Sequence, residues 1–148
     1  MTALTFTRAV ATDPNSAFDA WTDPAELARW WWPQWPDTHY ELDVRVGGSY
    51  RIHSAQVGMG IRGEYMAVDR PDGFTMTWVW VEDGETPPAE PESVDTVQVS
   101  FTATDGGTTV TIVHTTGVAA ENYRQGWEDV LARLPGVLRN ENVTEDGR

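Results

Sequence analysis

The sequence predicts an α+β fold: a seven-stranded antiparallel sheet curled around one long C-terminal helix, with two short helices after the first strand. Three observations carry this. Two helix-start signals, Asp13-Pro14 and Asp23-Pro24, follow one alternating segment. Six further alternating segments come next, punctuated by glycine and proline turns. An apolar stripe at helical spacing closes the chain.

The first strand is expected over Leu4 to Thr12. Asp13 is a good N-cap and Pro14 suits the first helical position, so a short helix runs over about Pro14–Trp21. Asp23 and Pro24 repeat the signal, and Glu26 stands at capping-box spacing. That second helix ends before Pro33. His39 to Val46 and Ser49 to Ala55 form a hairpin across Gly47-Gly48. Gly60 to Asp69 and Phe74 to Val81 pair across the turn Arg70-Pro71-Asp72-Gly73. Val94 to Ala103 and Thr108 to Thr115 pair across Asp105-Gly106-Gly107. Glu82 to Glu92 is acidic and proline-rich, and reads as a mobile surface loop.

The last helix is expected from about Ala119 to Leu134. Tyr123, Trp127, Val130, Leu131, Leu134 and Leu138 form its apolar stripe. Gly126 costs about 1 kcal/mol inside a helix, which suggests a close approach to the sheet. Pro135-Gly136 should kink or stop the helix near Leu134. An antiparallel sheet needs one face covered, and this helix is the large cover available. The space between sheet and helix is where function should lie. Residues 1–140 read as one domain and 141–148 as a frayed tail.

The Gly47-Gly48 hairpin admits two registers. A two-residue turn would set Asp43 and Arg45 on the face of Tyr50 and Ile52. A three-residue turn with a bulge would put Leu42, Val44, Val46, Tyr50 and Ile52 inward, with Glu41, Asp43 and Arg45 outward. The second gives one apolar face and is preferred.

Composition excludes several functions. The chain has no cysteine, so disulfides and thiolate chemistry are excluded, and a cytoplasmic location is expected. It has no lysine, which excludes Schiff-base catalysis, and its net charge of −13 disfavours nucleic acid. No segment approaches membrane-spanning length, so no membrane association is expected. Asn142-Val143-Thr144 matches a glycosylation sequon, read as chance without a secretory signal. His39, His53 and His114 have no partner at ligand spacing, so neither metal nor cofactor is expected. Gly58 to Gly63 fits G-x-G-x-x-G, but a strand rather than a helix follows, which argues against a dinucleotide site.

Five segments in order, FDAWTDPAELARWW (Phe18–Trp31), ELDVRVGGSYR (Glu41–Arg51), GEYMAVDRPDGFTMTW (Gly63–Trp78), GGTTVTIVHT (Gly106–Thr115) and Gly126-Trp127, resemble the Aha-type (activator of heat-shock ATPase) branch of the START-like, or SRPBCC, superfamily. The resemblance runs from about residue 4 to 138 and implies a helix-grip fold with a mostly apolar cavity between sheet and helix. Two positions depart from it. Pro135 interrupts a helix that is continuous in similar proteins, so its end is expected to move off the sheet. Trp32 stands where a small residue is usual, as in WWGP, and should narrow the cavity mouth.

The inner faces given by strand alternation and the helical stripe select the expected cavity wall: Tyr50, Tyr65, Met76, Trp78, Val99, Ile112, His114 and Trp127, with Trp31 near the mouth. Trp21 and Trp30 are read as core. Trp32 and Trp35 are read, like Trp31, as lining the mouth. Their rings suit a small hydrophobic or aromatic ligand. His114 is a polar ring on an apolar face, read either as a ligand contact or as a histidine satisfied at the sheet end. The expected function is ligand binding without a catalytic residue, in a monomer or homodimer. One alternative is a cyclase, dehydratase or hydrolase using His114 or Asp43. Another is a co-chaperone-type interaction module using the acidic Glu82–Glu92 stretch.

Overall fold

The structure, a computed structural model, describes residues 2–82, 95–116 and 121–138. In chain order it contains β1 (Thr2–Val10), α1 (Pro14–Thr22), α2 (Pro24–Leu27), β2 (His39–Leu42), β3 (Ser49–Ser54), β4 (Met59–Asp69), β5 (Gly73–Glu82), β6 (Asp95–Thr104), β7 (Gly107–Thr116), α3 (Glu121–Leu131) and α4 (Leu134–Val137). All seven strands form one antiparallel sheet in the order β1-β7-β6-β5-β4-β3-β2. Successive strands are neighbours, and β1 closes the edge beside β7. With α3 on the apolar face, this is the expected α+β helix-grip arrangement. The acidic stretch from residue 83 and the tail 141–148 lie outside the described residues.

Local chemistry sets the short helices. Asp13 accepts from the Ser16 amide at 2.8 Å ahead of Pro14, a side-chain N-cap. Asp23 ends α1 and begins α2 at once. Its N–H donates to the Asp19 carbonyl at 2.9 Å, while its carboxylate accepts from the Ala25 amide at 3.0 Å. The expected capping box does not close, because the Asp23 N–H is already taken. Glu26 pairs with Arg29 at 2.8 Å instead. Arg70 ties α1 to the β4–β5 turn, pairing with Asp19 at 2.6 Å and lying 4.8 Å over the Phe18 ring.

The stripe on α3 is buried as expected at Trp127, Val130 and Leu131. The helix stops at Leu131, earlier than expected. Pro135 has no N–H for the Leu131 carbonyl, and its ring would crowd that oxygen. The chain then re-forms as α4 against β1, with Leu134 and Leu138 buried. The end of the helix therefore stays on the sheet rather than leaving it. Gly126 is a second correction. It is exposed, and a Cβ there would meet nothing within 4 Å, so it marks no close approach to the sheet.

The β2–β3 register differs from both expectations. Leu42 pairs with Tyr50 and Tyr40 with Ile52, which leaves Asp43 to Gly48 in a wider loop. The reason is a competing partner. The Gly47 amide donates to Tyr65 on β4 and the Tyr65 amide to Gly48, each at 2.8 Å, which pulls the glycines off the hairpin. The preferred inner face holds for Leu42, Tyr50 and Ile52, and Asp43 and Arg45 pair outward at 2.9 Å. Val46 does not point inward: it is 66% exposed. Gly63 lies mid-strand on β4, where a Cβ would stand 2.2 Å from the Thr77 carbonyl oxygen. The glycine motif is thus strand packing and not a phosphate loop.

Candidate functional site

All eight tryptophans of the chain join one continuous set of ring contacts. Trp21 and Trp30 are both buried, 4.7 Å apart between centroids. Trp31 reaches Trp127 at 5.5 Å and Trp78 at 6.1 Å. Trp32 reaches Trp35 at 5.1 Å and Trp80 at 6.1 Å. The segment that carries four of these rings after α2 is fixed by hydrogen bonds. The Trp30 indole donates to the Ala20 carbonyl at 3.0 Å, and the Tyr40 hydroxyl donates to the Trp31 carbonyl. Asp37 accepts from Ser54 Oγ at 2.9 Å and from the Gln56 amide at 2.6 Å, which ties the segment to β3.

Trp32 has φ +56°. A side chain in this left-handed region costs roughly 1–2 kcal/mol. Glycine, without a Cβ, would adopt this backbone freely. Trp32 keeps the strained backbone and buries its ring.

A cleft of about 510 Å³ lies beside this segment. Trp31, Trp32, Gln34 and Trp35 form one wall, Met59, Ile61, Trp78 and Trp80 on β4 and β5 a second. Tyr123, Gly126, Trp127, Asp129 and Val130 on α3 form the third, with Arg133 beyond. A second void of about 20 Å³ is bordered by Trp21, Leu27, Trp31, Leu42, Tyr50, Ile52, Tyr65, Phe74, Met76 and Trp78. Of the residues expected to line the cavity, Trp31, Trp78 and Trp127 stand on the cleft. Tyr50, Tyr65 and Met76 border the small void. Val99, Ile112 and His114 touch neither and are sealed in packing. Tryptophan rings fill the middle: Trp127 sits 5.2 Å from Trp78 and 6.3 Å from Trp21. The open space is displaced toward the tryptophan segment. Gln34, Asp129 and Arg133 were not anticipated. For Asp129 the signal was its place on α3 beside the apolar stripe.

A buried polar chain lies behind the cleft. The Trp127 indole N–H donates to His114 Nδ1 at 2.8 Å, and His114 Nε2 meets an Asp95 carboxylate oxygen at 2.8 Å. Indole nitrogen only donates, so Nδ1 must accept and the proton sits on Nε2, donated to Asp95. Burial lowers the His114 pKa, opposed by the hydrogen bond and charge of Asp95. The ring is therefore neutral, with both nitrogens engaged, and Tyr123 stacks on it at 4.8 Å. This is the satisfied-histidine alternative, at full burial. Asp95 was missed, although it alternates with Val97, Val99 and Phe101 on the inner face of β6. Burial also raises the phenol pKa values of Tyr50 and Tyr65. The Tyr50 hydroxyl donates to the Thr77 carbonyl at 2.6 Å.

Among the described residues, no group of three His, Asp or Glu side chains could hold a metal ion, and no helix is long and apolar enough to cross a membrane.

Solved structures share this architecture. A Chromobacterium violaceum protein matches with TM-score 0.74 at 20% identity, over 93% of this chain and 97% of that one. An HSP90 activator from Plasmodium falciparum matches with TM-score 0.71 at 21% identity, over 93% and 96%. A Mycobacterium smegmatis protein matches with TM-score 0.64 at 25% identity, over 92% and 85%. No curated protein matches in sequence. The family model for Activator of Hsp90 ATPase homolog 1-like protein matches residues 11–139, nearly the whole of the fold just described. The chain belongs to the Activator of Hsp90 ATPase homolog 1-like family, a branch of the START-like superfamily.

Proposed function

We infer that the protein binds a small hydrophobic or aromatic molecule in the cleft beside the tryptophan segment. One observation supports this above others: about 510 Å³ of space with Trp31, Trp32, Trp35, Trp78, Trp80 and Trp127 on its wall. Small-molecule sites commonly span about 300–1,000 Å³, with aromatic walls and a few polar groups. Asp129 and Arg133 supply polar groups here. The family and fold are consistent with a START-like ligand-binding domain. We take residues 1–140 as one domain that acts in the cytoplasm without metal or cofactor.

Binding without turnover fits better than a cyclase, dehydratase or hydrolase. His114, the best acid–base candidate, has both ring nitrogens engaged and does not reach the cleft. Asp43 points outward, paired with Arg45. The interaction-module reading would draw on the acidic stretch from residue 83, outside the described residues. The deciding experiment is native mass spectrometry of protein taken directly from cells, followed by calorimetry with a panel of hydrophobes. A co-purified small molecule, or saturable one-to-one binding that weakens in Trp78→Leu, is the expected result. No bound mass and no heat across the panel would reject the reading.

A further inference from the structure

Among the described residues, three buried side-chain polar atoms have no hydrogen-bond partner: the indole nitrogens of Trp21, Trp31 and Trp78. All three tryptophans border the same void of about 20 Å³. Buried donors are rarely left unpaired, because the desolvation of an N–H is then uncompensated. A space of this size takes about one water-sized group, for which roughly 10–15 Å³ suffices.

We propose that this void is a subsite for one neutral oxygen acceptor, held by the indole N–H groups of Trp21, Trp31 and Trp78. Indole N–H can only donate, so the guest must accept. The guest must also be neutral. The rest of the wall is hydrocarbon, thioether and phenol, with no cation to balance a buried anion, and the chain carries net charge −13. The phenol of Tyr50 already donates to Thr77 and does not need the guest.

Trp31 and Trp78 belong to both the void and the cleft, so the subsite lies directly behind the cleft. Resting on the binding function proposed above, the oxygen is a carbonyl of the bound molecule, or a water when none is bound. The favoured ligands are then aromatic ketones, quinones or esters over plain aromatic hydrocarbons.

The test uses the intact chain. Its indole N–H signals are assigned by nitrogen–proton NMR, first alone and then with 2-acetonaphthone or 2-ethylnaphthalene. Magnetisation transfer from a long-lived water to the Trp21, Trp31 and Trp78 signals establishes the subsite with water as its source. If the ketone moves those signals downfield, removes the water transfer and binds about tenfold tighter than the hydrocarbon, the carbonyl is the source. Three upfield signals, as for N–H groups over ring faces, without water transfer and indifferent to the ketone, would overturn the subsite. If neither naphthalene binds, the cleft reading fails on its own, and the water transfer still decides the subsite.

Discussion

Trp127 on α3 donates its indole N–H to Nδ1 of His114 on β7 across 2.8 Å, and this bond keys the helix to the sheet. It adds a directional contact to the apolar packing of Trp127, Val130 and Leu131. Behind it, Asp95 fixes the imidazole tautomer.

Replacing Trp127 by alanine removes a fully buried ring and should cost about 3–5 kcal/mol. Trp127→Phe keeps most of the packing but leaves His114 Nδ1 unpaired, which should cost about 1–3 kcal/mol. Urea unfolding of both variants checks the order. An alanine variant as stable as the parent would remove Trp127 from the core.

Stability should fall on acidification through the histidine range. Burial holds His114 below its ordinary value of 6.5 in the folded chain, so the unfolded chain takes up the proton first. Its contribution is fully present above pH 6.5 and is lost as pH falls from there toward the folded value. Between the two values the slope is at most about 1.4 kcal/mol per pH unit. In His114→Gln this part of the pH dependence should vanish. Unfolding midpoints between pH 5 and 8 measure it, and an unchanged slope in the variant would assign it elsewhere.

Gly126→Ala should stabilise the protein by about 0.5–1 kcal/mol, since alanine is the better helix former and its Cβ meets nothing within 4 Å. The added methyl projects at the cleft wall. Thermal melting should rise while calorimetry shows altered ligand affinity. A fall in melting temperature would mean that the helix tolerates no side chain there.

At Trp32 the usual order of glycine and alanine should invert. Both substitutions remove a buried ring, a loss of about 3–5 kcal/mol. Only glycine relieves the φ of +56°, so Trp32→Gly should be more stable than Trp32→Ala by about 1 kcal/mol. Each variant should also widen the cleft and admit bulkier ligands. Equal stabilities would show that the backbone relaxes once the indole is gone.

Much of this fold was legible because its signals are local. Asp13-Pro14 and Asp23-Pro24 act within one turn, and alternation gave the inner faces of β5, β6 and β7. Errors arose where a distant partner competed. The Gly47-Gly48 loop was misread because β4, well away in sequence, takes its backbone bonds. The extent of the cleft was less legible for a different reason. Alternation and helical spacing tell which way Trp78 and Trp127 point, but not that their rings meet at 5.2 Å and fill the middle. Asp95 was hidden by its type: a carboxylate on an apolar face makes sense only once His114 is placed beside it.

The unbroken contact of eight indoles has an optical consequence. At such separations excitation energy migrates between chromophores before it is emitted, so light absorbed at Trp35 can leave from Trp21. The emission belongs to the set rather than to any member. A quencher bound at one ring dims all of them, and deleting one indole shifts the spectrum of its neighbours. Intrinsic fluorescence of this protein will therefore detect occupancy of the cleft with high gain, and will not tell which tryptophan the guest touches.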